Sequence, residues 1–252
     1  MLTVELQGGL GNQLFQLAFL EYASSISGKP WYIHTLESPR TVHSTEQYYE
    51  TIFKNWKHYV GNKYINYIIQ ENKNLNYQDW STMLRNPIGS VKLVGYFQRF
   101  QYVDSIRESF IQRLSFDTSI LEKYPTISEK MFIHIRGGDY KNNSFHDVGL
   151  SNYYKTCLEL CKDEQIVVFT NDKQYAKEVL ADKSFEYIDE SEVNSLFLMS
   201  KCKGGICANS SFSWWGAYLN PARTIYFPSK WFNDARMDTS GYYFNGCITI
   251  QV

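Results

Sequence analysis

Short apolar runs alternate with longer amphipathic stretches along most of this chain. Leu2–Leu6 is a β-type run, broken by Gly8-Gly9-Leu10-Gly11-Asn12. Gln13–Ser27 then carries Leu14, Leu17, Phe19, Leu20 and Ala23 near helical spacing, and Gly28-Lys29-Pro30 stops it. Trp31–Ile33 reads as a second strand, so the chain opens on strand, glycine loop, helix, strand, one βαβ unit. Residues 40–90 are less regular. Helical pieces are expected over Glu46–His58 and a helix or strand over Tyr64–Ile69. Val91–Val94 reads as a strand, and a loop over Gly95–Tyr102 leads into a helix over Val103–Leu114. Glu122–Glu129 is polar, holds Pro125 and is the expected linker.

Beyond it the pattern predicts strands at Met131–Ile135, Ile166–Thr170, Phe185–Ile188, Gly205–Ala208 and Arg223–Phe227. Helices are expected at Asn152–Cys161, Lys173–Leu180, Val193–Lys201 and Ser211–Leu219. Such alternation predicts an α/β fold with parallel sheets covered by helices. Two halves, 1–125 and 126–252, are expected as two facing Rossmann-like domains.

Composition narrows the picture. A chain of 252 residues suits one large α/β domain or two small ones. Aromatic residues make up 17%, with 20 Tyr, 16 Phe and 6 Trp, which either fill cores or stack on sugars. The net charge of −1 and the lack of any block of five like charges argue against nucleic acid as a partner. Five cysteines are an odd number for a closed disulfide framework, and neither Cys157-x3-Cys161 nor Cys202-x4-Cys207 has a nearby His pair at zinc spacing. Buried reduced thiols in a reducing compartment are expected. No basic and apolar leader precedes Leu2, and no run of 18 apolar residues occurs, so neither a signal peptide nor a membrane span is expected. A cytoplasmic enzyme or a trimmed catalytic domain follows, with peripheral membrane association as the alternative.

Four polar clusters fall where strands end, the place where open parallel sheets bind ligands. Gly8–Gln13, including Gly11, offers close backbone approach and a helix N-terminus to an anion; its structural reading is a tight turn with Asn12 as N-cap. His134-Ile135-Arg136-Gly137-Gly138-Asp139 puts His134 and Arg136 on one strand face. Arg136 can grip a phosphate in a forked geometry, with Asp139 orienting it or accepting a proton; alternatively an Arg–Asp pair braces a turn. Asn171 and Asp172 either reach a ligand or simply cap the next helix. Asn209, Ser210, Ser211 and Ser213 crowd a helix start beyond what capping needs, which suits a phosphate seat, while Trp214-Trp215 pack the helix or flank a sugar. No Asp-x-Asp motif, metal-spaced cluster, Walker loop or Gly-x-Ser-x-Gly elbow is present. A metal-free anion site is what remains.

Taken in order, GGLGNQLFQ, GYFQRFQYV, HIRGGDY, FTND and CANSSFSWWGAYLN resemble the α-1,2-fucosyltransferases of glycosyltransferase family 11, from about Val4 to Phe232. The resemblance implies a GT-B fold, a GDP-β-L-fucose donor, no metal or other cofactor, and inversion to an α-linked fucose on a galactose-terminated glycan. It implies that Arg136 holds the β-phosphate and stabilises departing GDP, the main demand when no metal is present. His134 would lie near the nucleotide, and Ser210, Ser211 and Phe212 would line the diphosphate and fucose. Asn12 would reach across the cleft, and Asp139 is the candidate base. Gly11, Asn171, Asp172 and Asn209 complete the expected donor contacts. Two positions depart from the family's pattern. Gly137 stands where a second arginine is usual. Ser195 stands where an acidic residue able to pair with a guanine edge is usual. A related transferase using another donor, GDP-L-galactose or a rhamnose nucleotide, and a non-catalytic sugar-nucleotide-binding protein are the alternatives.

Overall fold

The apolar runs become strands of two parallel sheets in the computed structural model of the chain, which describes residues 1–34, 45–72, 77–86, 89–141, 143–181, 184–221 and 223–252. The chain divides into two compact units, Met1–Phe116 and Asp117–Val252, a boundary ahead of the expected 125/126.

In the first unit β1 (Leu2–Val4) runs into α1 (Leu10–Ser27), β2 (Trp31–His34), the short α2 (Glu46–Tyr49), a 3-10 turn over Lys54–Tyr59 and β3 (Val60–Gly61). Then follow β4 (Tyr67–Gln70), α3 (Tyr77–Leu84), β5 (Val91–Val94), α4 (Phe100–Asp104) and α5 (Arg107–Arg113). The strand order is β3-β2-β1-β5-β4, all pairs parallel. α1 is apolar nearly all round and is buried along most of its length, as a core helix must be. Gly28 ends it in the left-handed conformation, its N–H donating to Ser24 O.

Several expectations need correction here. α1 begins at Leu10, not Gln13, so Gly11 and Asn12 lie in its first turn and Gly9 is the N-cap. The helix expected over Val103–Leu114 is two shorter ones, whereas the helix-or-strand expectation at Tyr64–Ile69 holds as the strand β4, shifted to Tyr67–Gln70. Parts of the irregular 40–90 region lie outside the described residues. The core is aromatic: Phe19 stacks on Phe97 at 3.8 Å, with Trp80 edge-on to both and Tyr102 edge-on to Phe19.

In the second unit α6 (Ile120–Lys123) and a 3-10 turn at Ile127–Glu129 occupy the segment expected as a linker. Next come β6 (Met131–Ile135), α7 (Ser151–Leu160), β7 (Ile166–Thr170), α8 (Lys173–Val179), β8 (Glu186–Tyr187), α9 (Glu192–Lys201) and β9 (Gly204–Ile206). α10 (Ser211–Tyr218), β10 (Thr224–Pro228) and β11 (Ile248–Ile250), a strand the sequence pattern did not reveal, complete it. The order is β11-β10-β9-β6-β7-β8, again parallel. The chain winds from β6 to β7 and β8 on one side, then crosses to β9, β10 and β11 on the other. The direction therefore reverses between β6 and β9, a topological switch point. Gly205 belongs there for a packing reason: a Cβ would stand 2.1 Å from the Phe132 ring on β6.

Candidate functional site

Three strand-end loops of the second unit converge around that switch point: residues 136–141 after β6, 171–172 after β7 and 207–210 after β9. β6 ends at Ile135, so Arg136 is the first residue beyond the strand, not part of an alternating strand face. Its guanidinium carbon lies 5.3 Å from the centre of the Tyr140 ring. Tyr140 stacks on His146 at 4.5 Å and donates its hydroxyl to Asn209 O at 3.3 Å, which joins the β6 loop to the β9 loop.

His134 is fully buried on β6, 5.6 Å from the Phe212 ring at the start of α10. Burial first, and the neighbouring Arg136 charge second, push its imidazole down to about 3, so it is neutral at ordinary pH. Its Nδ1 has no hydrogen-bond partner among the described residues.

The polar crowd at α10 has more local work than its sequence suggests. Asn209 is buried and donates from Nδ2 to His146 O (2.9 Å) and Trp231 O (2.8 Å). Ser210 is the N-cap, its Oγ accepting from Phe212 N at 3.3 Å. Ser213 donates back to Ala208 O and Ser210 O. Ser211 and Phe212, both half-buried, lie at the positive end of the helix. Trp214 and Trp215 are both wholly buried, and the indole of Trp214 donates to Tyr242 O at 2.7 Å. Neither ring is placed to flank a sugar.

Asn171 and Asp172 hold the β6 loop. Asn171 Oδ1 accepts from Gly137 N at 2.9 Å. Asp172 caps α8 by accepting from Tyr175 N at 3.0 Å, accepts from Gly138 N at 3.4 Å, and faces Lys141 at 3.7 Å. The bond from the Tyr175 amide, followed by that from Gly138 and the Lys141 charge, holds its carboxyl below the usual range. The amides of Gly137 and Gly138 are thus taken up by these side chains. The side chain of Asp139 lies outside the described residues. On α9, Ser195 is nearly buried and donates from Oγ to Glu190 O at 3.3 Å.

In the first unit the glycine segment also stands at a switch point, between β1 and β5. Asn12 Oδ1 accepts from Gln98 Nε2 at 2.6 Å. Gln16 bridges the two strand ends, accepting from Gln7 N and donating to Gly95 O, each at 2.9 Å. Sequence reasoning missed Gln16, Gln98 and Tyr140 as parts of these sites. All three lie inside motifs quoted above, GGLGNQLFQ, GYFQRFQYV and HIRGGDY, which was the available signal.

A guanidinium just past β6, a neutral buried histidine on β6 and the N-terminal end of α10 after β9 are the kinds of group that can hold an anion. The description "Glycosyl transferase family 11" matches residues 1–248. The O-antigen biosynthesis glycosyltransferase WbnK of Escherichia coli is 33% identical over an alignment spanning 56% of this chain and 55% of that protein. An α-1,2-colitosyltransferase of Escherichia coli is 26% identical over 95% of each. Among solved structures, the α-1,6-fucosyltransferase NodZ of Bradyrhizobium, co-crystallised with GDP, superposes with a TM-score of 0.59 at 11% identity, covering 87% of this chain and 92% of that one. With two parallel-sheet α/β units in one chain, the fold is of the GT-B class.

Proposed function

This chain belongs to glycosyltransferase family 11, and on that premise we propose that it moves L-fucose from GDP-β-L-fucose to the 2-hydroxyl of a galactose-terminated glycan. The observation that carries the reading is Arg136, set just beyond β6 at the switch point that it shares with the N-terminal end of α10. In the proposed step the acceptor oxygen bonds to C1 of fucose while the bond from C1 to the β-phosphate oxygen breaks. Configuration inverts from β to α, and GDP leaves with the electron pair. Arg136 and the positive end of α10 stabilise the charge that grows on the diphosphate. The hydroxyl proton passes to a base, for which Asp139 is the candidate. His134, neutral, contributes a hydrogen bond and no charge beside the nucleotide. Asn12, in the first turn of α1, is proposed as a further contact to donor or acceptor.

The linkage draws support from the relative named as an α-1,2-colitosyltransferase. That same relative favours a second reading, in which the donor carries colitose in place of fucose. Five free cysteines, four of them buried, suit a reducing, cytoplasmic setting. Among the described residues no helix is long and apolar enough to cross a membrane.

GDP release from GDP-fucose, measured without acceptor against GDP-mannose and UDP-galactose, tests the donor. Release no faster than the controls sinks the fucose reading, and a GDP-colitose arm decides the second. Arg136→Ala is expected to lower turnover at least about 100-fold, the scale of losing one preorganised charge-stabilising donor. EDTA is expected to leave turnover unchanged; a loss that manganese reverses would overturn the metal-free step. Linkage analysis of the product on galactose-terminated acceptors checks the 2-hydroxyl.

A further inference from the structure

Asn171 stands one residue past β7, yet its hydrogen bond acts on β6's loop. Its Oδ1 accepts from Gly137 N at 2.9 Å, across 34 residues of sequence. That N–H belongs to the peptide group whose carbonyl is Arg136's. The peptide group is planar, so holding its N–H fixes ψ of Arg136 and the direction in which the chain leaves the strand. The next amide is held as well, by Asp172 Oδ2, while Oδ1 of the same carboxylate caps α8. Space closes the bracket: a Cβ on residue 137 would lie 2.6 Å from Asp172 Cβ and 3.0 Å from the Tyr175 ring. Gly138 adopts φ +59, with Asn171 Nδ2 2.9 Å from where its Cβ would be. The Arg136 guanidinium itself lies over the Tyr140 ring.

We infer that Asn171 is a positioning residue for Arg136: through the Gly137 amide it fixes the backbone from which the guanidinium reaches the donor diphosphate. This rests on the reading of Arg136 as the cation of the diphosphate seat. Asn171 then affects donor binding without touching the donor. A side chain that contacted the donor directly would keep its effect when Arg136 is gone; one that acts through Arg136 would not.

The test is a double-mutant cycle of Asn171→Ala with Arg136→Ala, read by calorimetric binding of GDP and by hydrogen exchange of the 136–138 amides. Asn171→Ala is expected to weaken GDP about five- to tenfold in the parent, the size of one hydrogen bond's net effect, and to have no further effect beside Arg136→Ala. Exchange at Gly137 is expected to rise in Asn171→Ala and to return to within about twofold of the parent in Asn171→Asp, which keeps the acceptor oxygen. A merely structural role would lower the melting temperature equally in both backgrounds and leave the two GDP losses additive. Additive losses, or unchanged exchange at Gly137, overturn the proposal. If Arg136→Ala alone leaves GDP affinity intact, the diphosphate-seat reading fails. The exchange of Gly137 then decides by itself whether Asn171 sets the loop.

Discussion

His134 is a buried imidazole whose environment has one sign. It faces the Phe212 ring and the Arg136 charge, and Tyr154 donates only to its backbone carbonyl. Its folded pKa of about 3 lies below the ordinary 6.5, so the unfolded chain binds a proton that the folded chain refuses. Stability from this group is full above pH 6.5 and falls as the pH drops toward 3. The expected slope from one such proton is about 1.4 kcal/mol per pH unit. Urea unfolding between pH 6.5 and 4.5 checks it, with His134→Gln expected to flatten the slope. An unchanged slope would mean that the ring is hydrated. The sequence made His134 and Arg136 visible as a pair, because both are chemically loud, two residues apart, and lead into Gly137-Gly138. It did not reveal the local work of Asn209, Ser210 and Ser213, whose crowding looks surplus to capping. Their partners are backbone atoms, some of them distant, such as His146 O and Trp231 O, and no local pattern announces such bonds.

Helices α9 and α10 owe their shared ending to one side chain. The Arg223 guanidinium donates to Met199 O (2.9 Å) and Cys202 O at the end of α9, and to Gly216 O (3.1 Å), Ala217 O (3.2 Å) and Asn220 O (2.5 Å) at the end of α10. Last-turn carbonyls lack helical partners, and a cation there also complements the helix dipole. Burial lowers its pKa, yet the carbonyls keep it bound. Ser195 and Ser210 lie toward the opposite ends of the same two helices. Arg223→Met removes a shared donor from these carbonyls, of which Ala217 O keeps Asn220 N as a partner, and is expected to destabilise the protein by roughly 3 kcal/mol. The urea midpoint measures it; a loss below about 0.5 kcal/mol, the range of ordinary surface changes, would sink the clamp. Element types after Met131 were legible because β-branched and apolar runs there are short and cleanly separated. α1 was started late because Gly8, Gly9 and Gly11 together read as loop, although burial offsets the helix cost of Gly11.

Across the whole chain, strand order was the hidden quantity. Periodicity predicted parallel sheets, but pairing β1 with β5 and β6 with β9 depends on crossovers that local patterns do not encode. The high aromatic content resolves mostly into cores, as with Phe19–Phe97 in the first unit and Trp214–Tyr218 in the second. Each unit has its own sheet and its own switch point, yet the positions argued to meet the diphosphate all belong to Asp117–Val252. Arg136 follows β6, its bracket follows β7, and Ser210, Ser211 and Phe212 follow β9. A ligand protects what it touches and what its contacts hold, by mass action on local opening. GDP is therefore expected to slow hydrogen exchange chiefly over 134–141, 169–173 and 207–213, with smaller changes within Met1–Phe116. Arg136→Ala is expected to erase the protection at all three segments together, because they form one seat. Protection concentrated in the first unit, or protection at 207–213 that survives Arg136→Ala undiminished, would place the diphosphate elsewhere and detach the helix start from the arginine.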